Sequence, residues 1–183
     1  TRKYGLVRGE LLARGLAGRE QFVAAPPAAW EDLALVHTPR WLGRLREFSL
    51  SLQDITRLEL PATADTVEGF RLMCGGTIEA ARHALQDGVG LTLGGGLHHA
   101  FEDHGEGFCM FNDVAVAVRV LQRDARIRRA AIVDLDVHHG NGTAAVFAGD
   151  AAVLTLSVHQ WNNYPAEKPA STRRRATSSW AKP

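Results

Sequence analysis

Three short runs of mainly aliphatic residues constrain the fold of this chain most strongly. They occupy residues 89–93, 130–136 and 151–158, and segments with helical periodicity separate them. Because neighbouring positions in these runs are apolar, both faces of each strand have to be covered, as in a parallel sheet between two layers of helices. The pattern predicts an α/β fold, a three-layer αβα arrangement with a mainly parallel sheet.

Helical periodicity is clearest at residues 66–85, where a broad apolar stripe repeats at the spacing of one helix face. Weaker patterns, read together with proline, glycine and capping residues, define the other local elements. These are helices at 4–16, 39–48 and 112–121, a helical turn at 143–147, and a short extended run at 33–36.

Composition limits the class of protein. With 183 residues, 45% of them hydrophobic, the chain is the size of one domain, and its net charge of +1 gives no field that would attract nucleic acid or an anionic membrane. No apolar run approaches the roughly 20 residues of a membrane-spanning helix. The two cysteines, Cys74 and Cys109, are far apart, without the spacing of a disulfide framework. A cytoplasmic protein without nucleic-acid or membrane partners is predicted.

Acidic residues and a histidine cluster at the end of the second aliphatic run. Asp134, Asp136 and His138 alternate along the chain, so a strand would place them on one face. The carboxyl end of a parallel strand is where ligands bind in open α/β sheets, and Asp and His are ordinary zinc ligands. The pattern indicates part of a zinc site. The alternative is that an aspartate caps the following turn and His138 packs as a structural histidine.

A second histidine cluster follows the first aliphatic run. The sequence Gly-Gly-Gly-Leu at residues 94–97 leads into His98 and His99. Glycines allow the backbone to approach a ligand closely, and adjacent imidazoles can divide acid and base roles. Taken alone, this signal is weak, since surface histidines and glycine loops are common.

Three motifs in order make a specific resemblance. Residues 94–100 (GGGLHHA), 105–113 (GEGFCMFND) and 134–142 (DLDVHHGNG) resemble the histone deacetylase family and its bacterial relatives. The resemblance runs from about residue 4 to about residue 171 and is firmest over 94–158. It implies the arginase/deacetylase fold and a zinc-dependent hydrolase.

The resemblance assigns roles to the two histidines. His98 would be the general base that takes a proton from a metal-activated water, oriented by Asp134. His99 would be its charged or proton-donating partner, with Asn141 as the acceptor behind it. These four residues are the expected catalytic set.

The same resemblance assigns metal ligands. Asp136 and His138 would bind Zn²⁺, whereas His139 would point away from it. A monovalent cation such as K⁺ would lie close by, held by Asp134, Asp136, the His138 carbonyl, Ser157 and Val158. A related fold, the arginase type, binds two metals through Asp-x-His-x-Asp, and Gly140 in place of the last aspartate argues against that site.

Two residues are expected to bind substrate. Phe108 would form one wall of the apolar tunnel that holds an acyl-lysine stem, with the Gly107 backbone beside it. The sequence alone leaves open that Phe108 instead packs in the core.

The family pattern stops near residue 171. Family members place their third zinc ligand, an aspartate, and an oxyanion-stabilising tyrosine further along, and neither Tyr4 nor Tyr164 matches that position. We therefore expect a partial, truncated deacetylase domain at 1–171 and a divergent basic tail at 172–183, from a shifted frame or a truncated gene. A sheet without its later strands should expose apolar surface.

The predicted function is removal of acetyl groups from acetyl-lysine by a zinc-dependent hydrolase. Two alternatives stay open: a deacetylase for acetylpolyamines or other small acetylated amines, and a catalytically inactive remnant. The sequence does not define the oligomeric state.

Overall fold

The computed structural model describes residues 2–169, in which helices dominate the first two thirds and a parallel strand pair follows. A 3₁₀ turn at Arg19–Gln21 separates the first two helices. The elements are α1 (Arg2–Ala13), α2 (Trp30–Leu33), α3 (Pro39–Arg46), α4 (Leu52–Leu58), α5 (Ala64–Asp87), α6 (Asp113–Arg123), β1 (Ala130–Asp134), α7 (Asn141–Val146) and β2 (Val153–Ser157). The predicted tail at 172–183 lies outside the described residues.

Capping residues explain where the longest helix begins and ends. The Thr63 side chain accepts a hydrogen bond from the Thr66 N–H, and the Thr66 hydroxyl accepts one from the Thr63 N–H. Gly88 ends α5 in a left-handed conformation with φ 83°. This reciprocal cap and the glycine stop extend α5 by two residues at each end beyond the predicted 66–85.

The two strands confirm the predicted parallel pairing. β1 and β2 run side by side in register from Ala130↔Val153 to Asp134↔Ser157, with α7 in the connection between them. Both strands are shorter than predicted. β1 ends at Asp134 because its carboxylate accepts a hydrogen bond from the N–H of Asp136, which bends the chain.

Two sequence predictions of extended structure are wrong. Residues 89–93 form no strand, because no strand among residues 2–169 pairs with them, and Leu91 is 88% exposed. Residues 33–36 continue α2 as a turn in which the His37 N–H donates to the Leu33 carbonyl at 2.9 Å. A short apolar run is compatible with either strand or helix, and local hydrogen bonds decide here.

The core gathers residues of α3, α5 and α6, the loop before α6, the end of α7 and one face of the sheet. Trp41 of α3, Phe111 before α6 and Phe147 after α7 are fully buried in it. On the opposite face Val133 is 59% and Leu154 41% exposed, so the expected exposure of apolar surface is confirmed. Within the described part of the chain, no helix is long and apolar enough to cross a membrane.

Candidate active site

A cavity of about 490 Å³ opens beyond the carboxyl end of β1. Its walls come from α5, the glycine-rich loop, the loop before α6 and the segment after β1. Predicted site residues that line it are His98, His99, Gly107, Phe108, Asp136 and His138. Asp134 and Asn141 lie behind the two histidines as hydrogen-bond partners. The structure therefore brings together the predicted catalytic, substrate and zinc residues.

A buried carboxylate holds the glycine-rich loop in place. Asp113, in the first turn of α6, accepts hydrogen bonds from the N–H groups of Gly96 at 3.0 Å and Leu97 at 2.7 Å, and from the Thr77 hydroxyl at 2.5 Å. A Cβ at Gly95 would collide with the same carboxylate. Burial raises the pKa of Asp113 although these hydrogen bonds oppose the shift. The loop is thus fixed immediately before the histidine pair.

A second set of contacts fixes the backbone of the histidine pair from α7. The N–H of Thr143 donates to the His98 carbonyl at 3.0 Å. The buried Asn112 side chain donates to the Ala100 carbonyl at 3.1 Å and to the Thr143 hydroxyl at 3.0 Å. The two imidazoles consequently sit side by side with ring centroids 4.0 Å apart.

His98 contacts Asp134, the aspartate that the sequence predicts as its orienting partner. Its Nδ1 lies 2.5 Å from Asp134 Oδ2, and its Nε2 lies 3.9 Å from Asp136 Oδ1. Burial alone would raise the pKa of Asp134, but the hydrogen bonds from His98 and from the N–H of Asp136 hold it below its ordinary value. A charged carboxylate therefore faces Nδ1 and leaves Nε2 directed toward Asp136, one of the two predicted zinc ligands.

His99 is backed by a neutral amide that is itself held by a carboxylate. His99 Nδ1 lies 2.7 Å from Asn141 Oδ1, and Asn141 Nδ2 donates to Glu106 Oε1 at 2.7 Å. The Tyr164 hydroxyl donates to the same Glu106 oxygen at 2.9 Å. Burial lowers the pKa of His99, the Asn141 hydrogen bond opposes that shift, and the neighbouring His98 adds to it.

Glu106 and Tyr164 had no predicted role. Glu106 lies inside one of the quoted motifs, but nothing in its spacing indicates a contact with residue 141. Tyr164 is 58 residues further along and lies 5.0 Å from the His99 ring between centroids. Only the tertiary structure brings Tyr164 to the cavity and Glu106 to a position behind it, next to Asn141.

The zinc candidates lie next to each other at the cavity surface. Asp136 Oδ1 accepts from the His138 N–H at 2.7 Å and lies 2.9 Å from His138 Nδ1. A carboxylate oxygen and an imidazole nitrogen facing one cavity form a donor set that fits two positions of a zinc site. Among residues 2–169, no group of three or more His, Cys, Asp or Glu side chains could hold a metal ion.

The residues predicted to hold a monovalent cation meet at the ends of the two strands. Asp134 is the register partner of Ser157, and the N–H of Val158 donates to the Asp134 carbonyl at 2.9 Å. Asp136 and His138 follow on the same bend. The cation itself stays a prediction.

His139 packs against the His159 ring at 4.6 Å and does not line the cavity.

Phe108 lies on the cavity wall. It is 56% exposed, so the alternative in which it packs in the core is wrong. Gly107 precedes it with φ 50°, and a Cβ there would lie 2.9 Å from His99 Cδ2 and 3.1 Å from the Tyr164 hydroxyl. The glycine lets the backbone approach both rings closely.

The model of the histone deacetylase domain matches residues 1–180. The chain belongs to the histone deacetylase family. The match continues past residue 171, so the boundary between domain and tail stays a prediction. This family comprises deacetylases and related amidohydrolases.

Named relatives and solved structures agree. An uncharacterised protein of Picosynechococcus sp. is 40% identical over 171 residues, which cover 92% of this chain and 56% of the relative. A histone deacetylase-like amidohydrolase of Pseudomonas aeruginosa is 35% identical, with 82% and 40% covered. The crystal structure of an HDAC homologue complexed with SAHA superposes with a TM-score of 0.76 at 29% identity, with 86% and 45% covered.

The superposition confirms the predicted arginase/deacetylase fold of this family, an α/β architecture. The chain spans about half the length of the curated relatives it matches.

Proposed function

We propose that this chain supplies the histidine pair and two zinc ligands of a deacetylase that removes acetyl groups from acetyl-lysine. The observation that carries the proposal is the arrangement around one cavity. His98 and His99 stand side by side, each with its own partner behind it. Asp136, which bonds to His138, has its Oδ1 3.9 Å from His98 Nε2.

Asp136 and His138 would hold the zinc ion, and water or a further protein ligand would complete its coordination. When bound, zinc polarises an acyl carbonyl and lowers the pKa of a coordinated water. The donor types and their closeness support this assignment. Asp134, Asp136, the His138 carbonyl, Ser157 and Val158 would hold K⁺ close to the zinc site.

His98 would act as the general base. Its Nδ1 is occupied by Asp134 at 2.5 Å, so Nε2 is the nitrogen available to accept a proton on the cavity side. A carboxylate partner fixes the tautomer and increases the basicity of the imidazole. A base with this geometry can take a proton from water that attacks an amide carbonyl.

His99 would return a proton to the leaving amine. Its partner is the amide of Asn141 rather than a carboxylate, which makes its environment differ from that of His98. Two adjacent histidines with different partners can divide base and acid duties because their surroundings separate their pKa values.

The cavity walls fit an acylated amine on an aliphatic stem. Phe108, Leu60, Phe70 and Met73 supply apolar surface. Carboxylates also line it, and no lysine or arginine of the described chain does. That charge pattern favours an acylated cationic substrate, either acetyl-lysine in a basic peptide or, as the second candidate, a small acetylated polyamine.

Zinc content by elemental analysis tests the proposal without assuming a substrate. We expect zinc bound by the purified chain to be lost in His138→Ala and kept in His83→Ala, which removes a partly exposed histidine of α5. Hydrolysis of acetyl-lysine peptide and acetylated polyamine by the zinc-loaded protein, with His98→Ala as control, would then separate the two substrates. Absence of zinc in every sample would overturn the proposal and favour the inactive remnant.

A further inference from the structure

The Asn141 side chain is held between the His99 imidazole and the Glu106 carboxylate, which differ in the hydrogen bonds that they can make. Its Oδ1 faces His99 Nδ1 at 2.7 Å, and its Nδ2 faces Glu106 Oε1 at 2.7 Å. An ionised carboxylate can only accept hydrogen bonds, so the group that faces it has to be the amide NH₂. Glu106 therefore decides which way the Asn141 amide points.

The orientation of the amide in turn decides the tautomer of His99. With Oδ1 directed at the imidazole, Nδ1 has to carry the hydrogen, because two acceptors cannot bond to each other. In the neutral ring Nε2 is then the bare nitrogen. If the amide were free to flip, its NH₂ would face Nδ1 and stabilise the opposite tautomer.

The same carboxylate oxygen also holds the aromatic wall of the cavity. Tyr164 donates its hydroxyl to Glu106 Oε1 at 2.9 Å, and its ring lies against His99 with 5.0 Å between centroids. Glu106 is partly buried and its other oxygen lies 3.7 Å from His104 Nε2. One side chain thus fixes the amide behind His99 and the ring beside it.

We propose that Glu106 is a positioning residue that sets the tautomer of His99 through Asn141 and holds Tyr164 against the same imidazole. This deepens the proposed function, on which it rests for the catalytic meaning of the tautomer. The hydrogen-bond geometry stands independently of that meaning. Asp134 orients His98 directly, whereas Glu106 orients His99 through the Asn141 amide between them.

The tautomer can be measured directly by ¹⁵N NMR of the histidine side chains in the full chain. At about pH 8, above the ordinary histidine range, the two ring nitrogens of a neutral imidazole differ strongly in chemical shift. The His99 signals are assigned by their loss in His99→Phe. In the wild type we expect the hydrogen on Nδ1.

Three variants separate positioning from simple structural support. Glu106→Gln keeps an oxygen that can accept from Asn141 and Tyr164, so the Nδ1–H form should be retained. Glu106→Ala should convert His99 to a mixture of tautomers. Glu102→Ala removes an exposed carboxylate of the same loop and should leave the spectrum unchanged. The amide spectrum of each variant reports that the fold is kept.

The proposal is overturned if Glu106→Ala keeps the wild-type tautomer in a folded protein. It is overturned equally if the wild type carries its hydrogen on Nε2. Neither outcome depends on zinc or on hydrolysis, so failure of the deacetylase proposal and failure of the positioning role are distinguished. Tyr164→Phe, which removes only the phenol hydroxyl, should retain the Nδ1–H form, because Asn141 still bonds to Glu106.

Discussion

Asp134 Oδ2 lies 2.5 Å from His98 Nδ1, while Oδ1 of the same carboxylate accepts from the N–H of Asp136. One side chain therefore both contacts the imidazole and bends the chain that carries the proposed metal ligands, Asp136 and His138. This dual use couples the position of the proposed base, His98, to the position of the proposed ligands.

Replacing this carboxylate should cost stability as well as orientation. We expect Asp134→Asn to lower the free energy of unfolding by about 1.5–3 kcal/mol at neutral pH, the range for hydrogen bonds to charged groups. Asp103→Asn is the matched control, because Asp103 pairs with His104 Nδ1 at 2.6 Å on the exposed surface. That change should cost less than about 1 kcal/mol. Equal losses in denaturant titrations of both variants would contradict the proposed dual use.

The site could be predicted where chemistry depends on short sequence motifs. The Asp134–His138 segment and the two histidines at 98 and 99 each lie within a few residues of one another. Their sequence neighbours restrict where the side chains can point. The strand rule predicted that Asp134, Asp136 and His138 share one face, but the strand ends at Asp134 and the chain bends there, so the alternation does not extend to Asp136 and His138.

Predictions failed where structure depends on distant partners. Residues 89–93 have the composition of a strand, but a strand needs a neighbouring strand to bond to, and sequence patterns do not identify it. Glu106, Asn141 and Tyr164 meet through a hydrogen-bond network that spans 58 residues. No local periodicity carries that information.

The buried Asp113 carboxylate should be essential for the glycine-rich loop. Asp113→Ala would leave the N–H groups of Gly96 and Leu97 without their acceptor, at a cost of about 3 kcal/mol or more. Asp65→Ala is the control, because Asp65 also lies in the first turn of a helix but is exposed. Its removal should cost about 0.5 kcal/mol from the helix dipole alone. Comparable losses in thermal unfolding of the two variants would refute the loop-anchoring role.

A methyl group added at Gly107 should displace side chains of the cavity wall in addition to straining the backbone. Gly107→Ala adds the cost of a left-handed alanine, about 1 kcal/mol, and pushes against His99 and Tyr164. Gly149 has φ 82°, and no atom lies within 4 Å of the position that an added methyl group would take, so Gly149→Ala carries the backbone cost alone. We expect shifted imidazole NMR signals of His99 only in Gly107→Ala. Unchanged signals would show that the rings tolerate the methyl group.

His37 should make the fold sensitive to mild acid. Its Nδ1 donates to the Phe101 carbonyl and its Nε2 accepts from the Asn112 N–H, so the folded protein holds the ring neutral. Burial lowers the pKa of His37 from 6.5 to about 4, although hydrogen bonds to the Phe101 and Glu102 backbone oppose this shift. Between pH 6.5 and about pH 4, His37 is protonated in the unfolded chain but stays neutral in the folded chain. Stability from this residue is thus present above pH 6.5 and lost as the pH falls through that window.

The predicted loss from His37 between about pH 7 and about pH 5.5 is about 1 kcal/mol. It should appear as a lower free energy of unfolding in urea titrations of the wild type at the more acidic pH. His37→Gln can keep one donor and one acceptor but has no proton to take up, so its pH-dependent loss should be smaller by that amount. His83→Gln, at a partly exposed position of α5, should lose as much stability as the wild type. If His37→Gln loses as much unfolding free energy on acidification as the wild type, groups other than His37 cause the acid sensitivity.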